Sequence, residues 1–446
     1  MRLFPAQPEI DPEAGFDRHD LFGRKEFGDR LTRLVLALEH PAVLLLDAPW
    51  GAGKTTFVKM WEGELRKRKV PVIHFDAFAS DYMADPFTAL AGEVLDLALD
   101  HQSDATKVAD FRQKALGVLK VVARHGGRAL VKAATYGMID PGSSEDWKNI
   151  EKDMAAAAAE LSDKVLLERL DKHAEDKATF AGFRDALKEL SVTLAPVESD
   201  EGRRRPPLIV VIDELDRCRP TFALSLLETV KHFFDVDGVV FLLVTNLQQL
   251  EKSVEFAYGA GIDARGYLDK FFHLRAVLPT RPTTSETDAC TYVRHLAQSM
   301  NLKSQPFTEA LIRLVDERKL NFRTIERLMA NLVLYEISAK LKRVELADVV
   351  VSLSHMKTND PKRYALAQAG QLGWTDALEW GVKDVPSAER DRTGYTISRE
   401  WRYCTNAPMA REDLDALDWS MGVPRNGILA AICANIDGFA LPDDPA

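Results

Sequence analysis

The chain has 446 residues, 46% of them hydrophobic and 28% charged, with a formal net charge of -10. That length predicts two or three compact units of a globular protein, and the acidic balance argues against a generally basic nucleic-acid binder. Four scattered cysteines without CxxC or zinc spacing fit reduced thiols in a cytoplasmic protein, and neither a signal-type leader nor an apolar run of spanning length is visible.

Residues 1–20 read as an irregular lead-in. Asp20–Arg24, DLFGR, precedes an amphipathic helix running to about Glu39. Two readings of that segment stand, a support for adenine and a simple helix cap by Asp20. Next comes VLLLDAPWGAGKTT, Val43 to Thr56. An apolar strand over 43–47 breaks into small residues, then Lys54 opens a helix over 54–68. This is the strand–loop–helix of a phosphate-binding loop. Pro49, Trp50, Gly51, Ala52, Gly53, Lys54, Thr55 and Thr56 are its candidate nucleotide-binding residues. Backbone N–H groups and the helix N-terminus would attract phosphates. Lys54 would reach the terminal phosphates, and the Thr55 hydroxyl would hold Mg²⁺. The usual first glycine of the GxxxxGK[ST] pattern is Ala48 here, which predicts a slightly altered loop entrance if that position needs positive φ.

A second strand, Val70–Phe75, ends at Asp76, and a helix follows from about Pro86 to Leu99. Residues 101–200 are expected to form a helical insertion. Phe111 to Ile139 lacks Asp and Glu, and Lys120, Arg124, Arg128 and Lys132 recur every four residues, which is one helical face. Gly126-Gly127 is expected to break or bend that helix. After Pro206-Pro207 the run LIVVIDELD, residues 208–216, suits a central parallel strand closing on acids, where α/β folds place ligands. Asp213 is the candidate Mg²⁺ residue and Glu214 the candidate base for the attacking water. Downstream of a phosphate-binding loop, this is a Walker B strand. Val239–Thr245 predicts another strand ending in Asn246, read either as a sensor of the γ-phosphate or as a helix cap. A short helix over 267–274 leads to a strand near 275–278. Amphipathic helices follow at 285–300, 307–318, 322–342 and 345–355, and then a weaker helical tail with Trp374, Trp380, Trp401 and Trp419.

WGAGKT at 50–55, VIHFDAFASDYMADPF at 72–87, VVIDELDRCRP at 210–220, YLDKFFHLRAVLP at 267–279 and NFRTIERLMANL at 321–332 resemble the KAP family of P-loop NTPases. The resemblance covers roughly residues 20–350. It implies an α/β P-loop NTPase core of the additional-strand type, with a parallel sheet flanked by helices, a helical insertion and a helical C-terminal lid. The expected divisions are 1–100 and 201–280 for the core, 101–200 for the insertion, 281–356 for the lid and 357–446 for the tail. It also implies ATP and Mg²⁺ as cofactors, Arg323 as a sensor-type arginine set against a surface-arginine reading, and Arg217 as part of the Walker B extension. Arg217 would pair with Asp216 or reach a neighbouring subunit's nucleotide; Arg265 and Lys270 are weaker candidates for a charge in trans. Ala48, Asp76, Phe78 and Asn246 depart from the family's usual residues. The family often carries transmembrane segments where this chain has its insertion.

The leading expectation is an ATP-hydrolysing regulator or assembly factor, acting with co-encoded protein partners or as a homo-oligomer. The resemblance implies a component of a bacterial antiviral defence system. The alternatives use the basic 111–139 segment, either as a membrane-surface scaffold or as a nucleic-acid-stimulated motor. A solvated basic face on an acidic protein is the plain reading of the same residues.

Overall fold

The computed structural model describes residues 10–83, 85–101, 103–124, 163–195, 205–279, 287–338, 346–385, 393–421 and 425–438. The chain divides into two compact units. One comprises Ile10–Pro49 and Gly53–Pro279; the other comprises Met1–Glu9, Trp50–Ala52 and Thr280–Ala446.

The first unit is built on five parallel strands: β1 (Ala42–Asp47), β2 (Val72–Asp76), β3 (Leu208–Asp213), β4 (Val239–Thr245) and β5 (Leu274–Val277). Every residue of β1, β3 and β4 is buried, as unbroken apolar runs covered by helices on both faces must be. The strand order is β2-β3-β4-β1-β5. β4 therefore lies between the phosphate-loop strand and the Walker B strand, which is the additional-strand arrangement. Register places Asp47 beside Thr245, and Asp76 beside Asp213. The C-terminal ends of these strands consequently gather the polar residues on one edge.

The helices follow from local chemistry. Asp85 caps helix Pro86–Asp100, accepting from the N–H groups of Phe87 and Thr88, with Pro86 at a position that needs no donor. Helices Ala105–Arg124 and Asp163–Leu194 belong to the expected insertion. They are anchored to the core through Phe183, whose ring lies 4.9 Å from Phe87 and 5.3 Å from Phe111. Such aromatic pairs add about 0.5–1.5 kcal/mol beyond area burial. Lys120 is exposed near the end of the first of these helices. Arg124 lies in its last turn, while Gly126, Gly127, Arg128 and Lys132 fall outside the described residues.

The second unit is helical. Asp288–Ser299, Gln305–Arg318, Phe322–Ser338 and Ala347–Asn359 occupy the four expected positions. One apolar core runs from Val293 through Met356 to Trp401, Tyr403 and Ile436. The residues beyond 356 thus share a core with those before it. No helix among the described residues is long and apolar enough to cross a membrane.

Candidate nucleotide-binding site

The loop after β1 turns through two left-handed glycines, Gly51 at φ 75° and Gly53 at φ 80°. A side chain at either position would be strained, so these glycines are required by the backbone path. Ala48 is not among the positive-φ residues. It is buried, and its N–H donates to the Thr245 carbonyl at 3.3 Å. The replacement of the usual glycine therefore leaves the loop entrance without left-handed strain.

Gly53 leads into helix Lys54–Lys67. The Lys54 ammonium donates to the carbonyls of Ala48 at 2.7 Å and Pro49 at 3.3 Å. Burial lowers its pKa, opposed by the charges of Asp216, Asp213 and Asp47. The Thr55 hydroxyl lies close enough to the Asp213 carboxylate to pull its pKa down. Asp213 is 2% exposed; its Oδ1 accepts from the Glu214 N–H at 2.7 Å, while its Oδ2 is buried with no hydrogen-bond partner. Burial raises the Asp213 pKa against the pull of Thr55, the Glu214 N–H, His74 and Lys54. A buried carboxylate oxygen left unpaired beside a threonine hydroxyl is expensive unless a cation satisfies it. Two hard oxygen donors of this kind fit Mg²⁺.

Glu214 follows at φ 60° and ψ 24°, left-handed for a residue with a side chain. Its pKa is raised by burial, lowered by Arg217, and raised again by Asp213, Asp76 and Asp216. Arg217 pairs with Glu214 at 2.9 Å, a partner outside the sequence reading, because the short turn Leu215–Arg217 brings the guanidinium back over residue 214. Asn246 sits at the N-cap position of helix Leu247–Tyr258 but makes no side-chain capping bond, which removes the cap reading of its amide. Lys54, Thr55, Asp213, Glu214 and Asn246 all lie in the first unit: the first two open the helix after β1, Asp213 ends β3 with Glu214 next, and Asn246 follows β4.

Arg323 opens helix Phe322–Ser338 of the second unit and is exposed. Trp50, Gly51 and Ala52 group with that unit, in which the Phe322 N–H donates to the Gly51 carbonyl at 3.2 Å. Arg265 is engaged by Glu251 at 3.0 Å and Asp269 at 3.4 Å, and Lys270 lies 4.0 Å over the Tyr267 ring. Cys218 is a buried thiol pushed up to about 12 by burial.

The KAP family P-loop domain model matches residues 24–338. The chain belongs to the KAP family. No curated protein matches it. Among solved structures, the ORC2 protein of Aeropyrum pernix, described with ADPNP and ADP, is similar at 13% identity and TM-score 0.33. That match covers 97% of this chain and 96% of the other, a likeness too slight to bear on fold or function.

Three supports of this KAP site escape sequence reasoning. Asp47 closes β1 by accepting from the Leu247 N–H at 3.0 Å and pairing with Arg275 of β5 at 2.5 Å. Asp81 binds the Arg219 backbone N–H and its Nε, each at 3.0 Å, tying the segment after β2 to the Walker B extension. Glu62 reaches across to His74 Nδ1 at 2.6 Å. Burial opposes the imidazolium, but the Glu62 hydrogen bond and charge win and raise the His74 pKa. The visible signal was an acid ending or interrupting an apolar run; its partner was not visible.

Proposed function

We propose that this KAP protein binds ATP with Mg²⁺, hydrolyses it, and acts as an ATP-driven regulator or assembly factor. The observation that carries this reading is the buried, unpartnered Asp213 Oδ2, near the Thr55 hydroxyl and one residue before Glu214. Thr55 and Asp213 would hold Mg²⁺, which when bound neutralises charge on the β- and γ-phosphates. Successive loop N–H groups between Gly51 and Thr55 cradle the phosphates, and Lys54 exchanges its loop carbonyls for phosphate oxygens. Glu214 orients a water and accepts its proton on a carboxylate oxygen. Asn246, at the end of β4 with its amide unused in capping, supports a hydrogen bond to that water or to the γ-phosphate. An ATP-dependent change would act through ordering of segments by the γ-phosphate. The antiviral setting rests on the family resemblance alone, and a partner would supply any effector chemistry.

Glu214→Gln tests this reading. The amide keeps shape but cannot take the proton, so turnover should fall by about 10²–10⁴-fold while ATP still binds. The check is steady-state phosphate release beside equilibrium binding of a fluorescent ATP analogue. Turnover at the wild-type rate would remove Glu214 from the base role.

A further inference from the structure

The Walker B glutamate is not free to act on water alone. Its backbone is left-handed, and its carbonyl accepts from the Arg217 N–H at 3.1 Å and from the Cys218 thiol at 3.6 Å. The turn is therefore pinned at its first residue. It delivers Arg217 so that a single guanidinium nitrogen, Nη1, stands 2.9 Å from Oε1 and 2.9 Å from Oε2 of Glu214. A carboxylate acting as base needs an oxygen lone pair turned to the water. One cation astride both oxygens holds the carboxylate plane and draws density from both.

Arg217 meets Glu214, three residues back, through this turn. The Arg217 side chain is 37% exposed and Glu214 only 19%, so the cation is the member of the pair that can leave.

We propose that Arg217 is a positioning residue that restrains Glu214, acting as a catch that sets a low basal rate of hydrolysis. This rests on the reading of Glu214 as the base. A part-exposed ion pair of this kind shifts an equilibrium by roughly two- to five-fold, so the catch tunes the basal rate and does not abolish it.

The test compares full-length wild type, Arg217→Gln, Arg217→Lys, Glu214→Gln and the double variant Glu214→Gln/Arg217→Gln in ATP turnover and ADP affinity. Arg217→Gln should raise kcat about two- to five-fold, with KM for ATP and affinity for ADP unchanged. Arg217→Lys, a point cation on a different reach, should raise kcat by less, and the double variant should be as slow as Glu214→Gln. A kcat for Arg217→Gln that is equal to or below wild type, with ADP affinity intact, overturns the catch. Should Arg217→Gln lose ADP affinity, Arg217→Lys decides: its kcat must exceed that of wild type. Wild-type turnover that Glu214→Gln removes but neither Arg217 variant accelerates defeats only the catch. Absence of turnover in wild type and both Arg217 variants defeats the hydrolysis reading as well.

Discussion

The turn after β1 and the turn after β3 perform one geometric task with different residues. Each ends a buried apolar strand at the same edge of the sheet, and each passes through left-handed backbone. After β1 the left-handed residues are Gly51 at φ 75° and Gly53 at φ 80°. Glycine meets that demand without a Cβ clash. After β3 the left-handed residue is Glu214 at φ 60°, where a side chain costs roughly 1–2 kcal/mol. The difference follows from what each turn offers a nucleotide. The first offers backbone N–H groups and one cation, so most of its side chains are dispensable. The second offers carboxylates, so a side chain is kept where the backbone would prefer none. Lys69, Asn301, Lys319 and Asn406 share that backbone region, so the conformation agrees with the role proposed for Glu214 without assigning it.

Three substitutions sharpen the contrast. Lys54→Ala has the largest expected effect, because the glycine-rich turn then loses its only side-chain cation against Asp47, Asp213 and Asp216. Binding of a fluorescent ATP analogue should vanish; wild-type affinity would place the phosphate-binding charge elsewhere. Gly53→Ala adds a Cβ at φ 80° and should cost about 1–2 kcal/mol, read as roughly 5–30-fold weaker ADP binding by calorimetry. Undiminished affinity would mean that the loop binds phosphate in another conformation. Ala48→Gly is the mildest. Position 48 already has ordinary backbone, so glycine loosens the unfolded chain and gives up one buried methyl group, and should lower stability by at least about 0.4–1 kcal/mol. A gain in unfolding free energy in urea would contradict the geometry given for Ala48.

Strand ends were the legible part of the site. In β1 and β3 an all-apolar run stops at an acid, and the parallel-sheet fold class follows from that pattern. Strand β4 matched its expected span because nothing but apolar residues lies between Val239 and Val244. The short edge strand β5 was placed one residue late, since Leu274 and Val277 are exposed and leave no burial pattern to read. The partners of the acids were hidden for two reasons. Asp47 and Arg275 are 228 residues apart, and no local rule joins them. Arg217 and Glu214 are close in sequence, but their contact depends on a left-handed residue and a tight turn. The tail looked weakly helical because its burial is carried by aromatic residues, Trp401 and Tyr403, which give little periodic signal.

The position of β1 between β4 and β5 has a consequence for how the protein is made. Neither of its neighbours is encoded nearby: Ala42 pairs with Val240 and Leu44 with Leu274. During synthesis at about 5–20 residues per second, β1 waits on the order of 10–40 s for its first partner. For that time a six-residue apolar strand has both edges open, the kind of template that recruits other nascent chains. The candidate phosphate loop that follows β1 thus acquires its final geometry only after about 200 further residues have been made, so the yield of folded protein should respond to chaperone capacity.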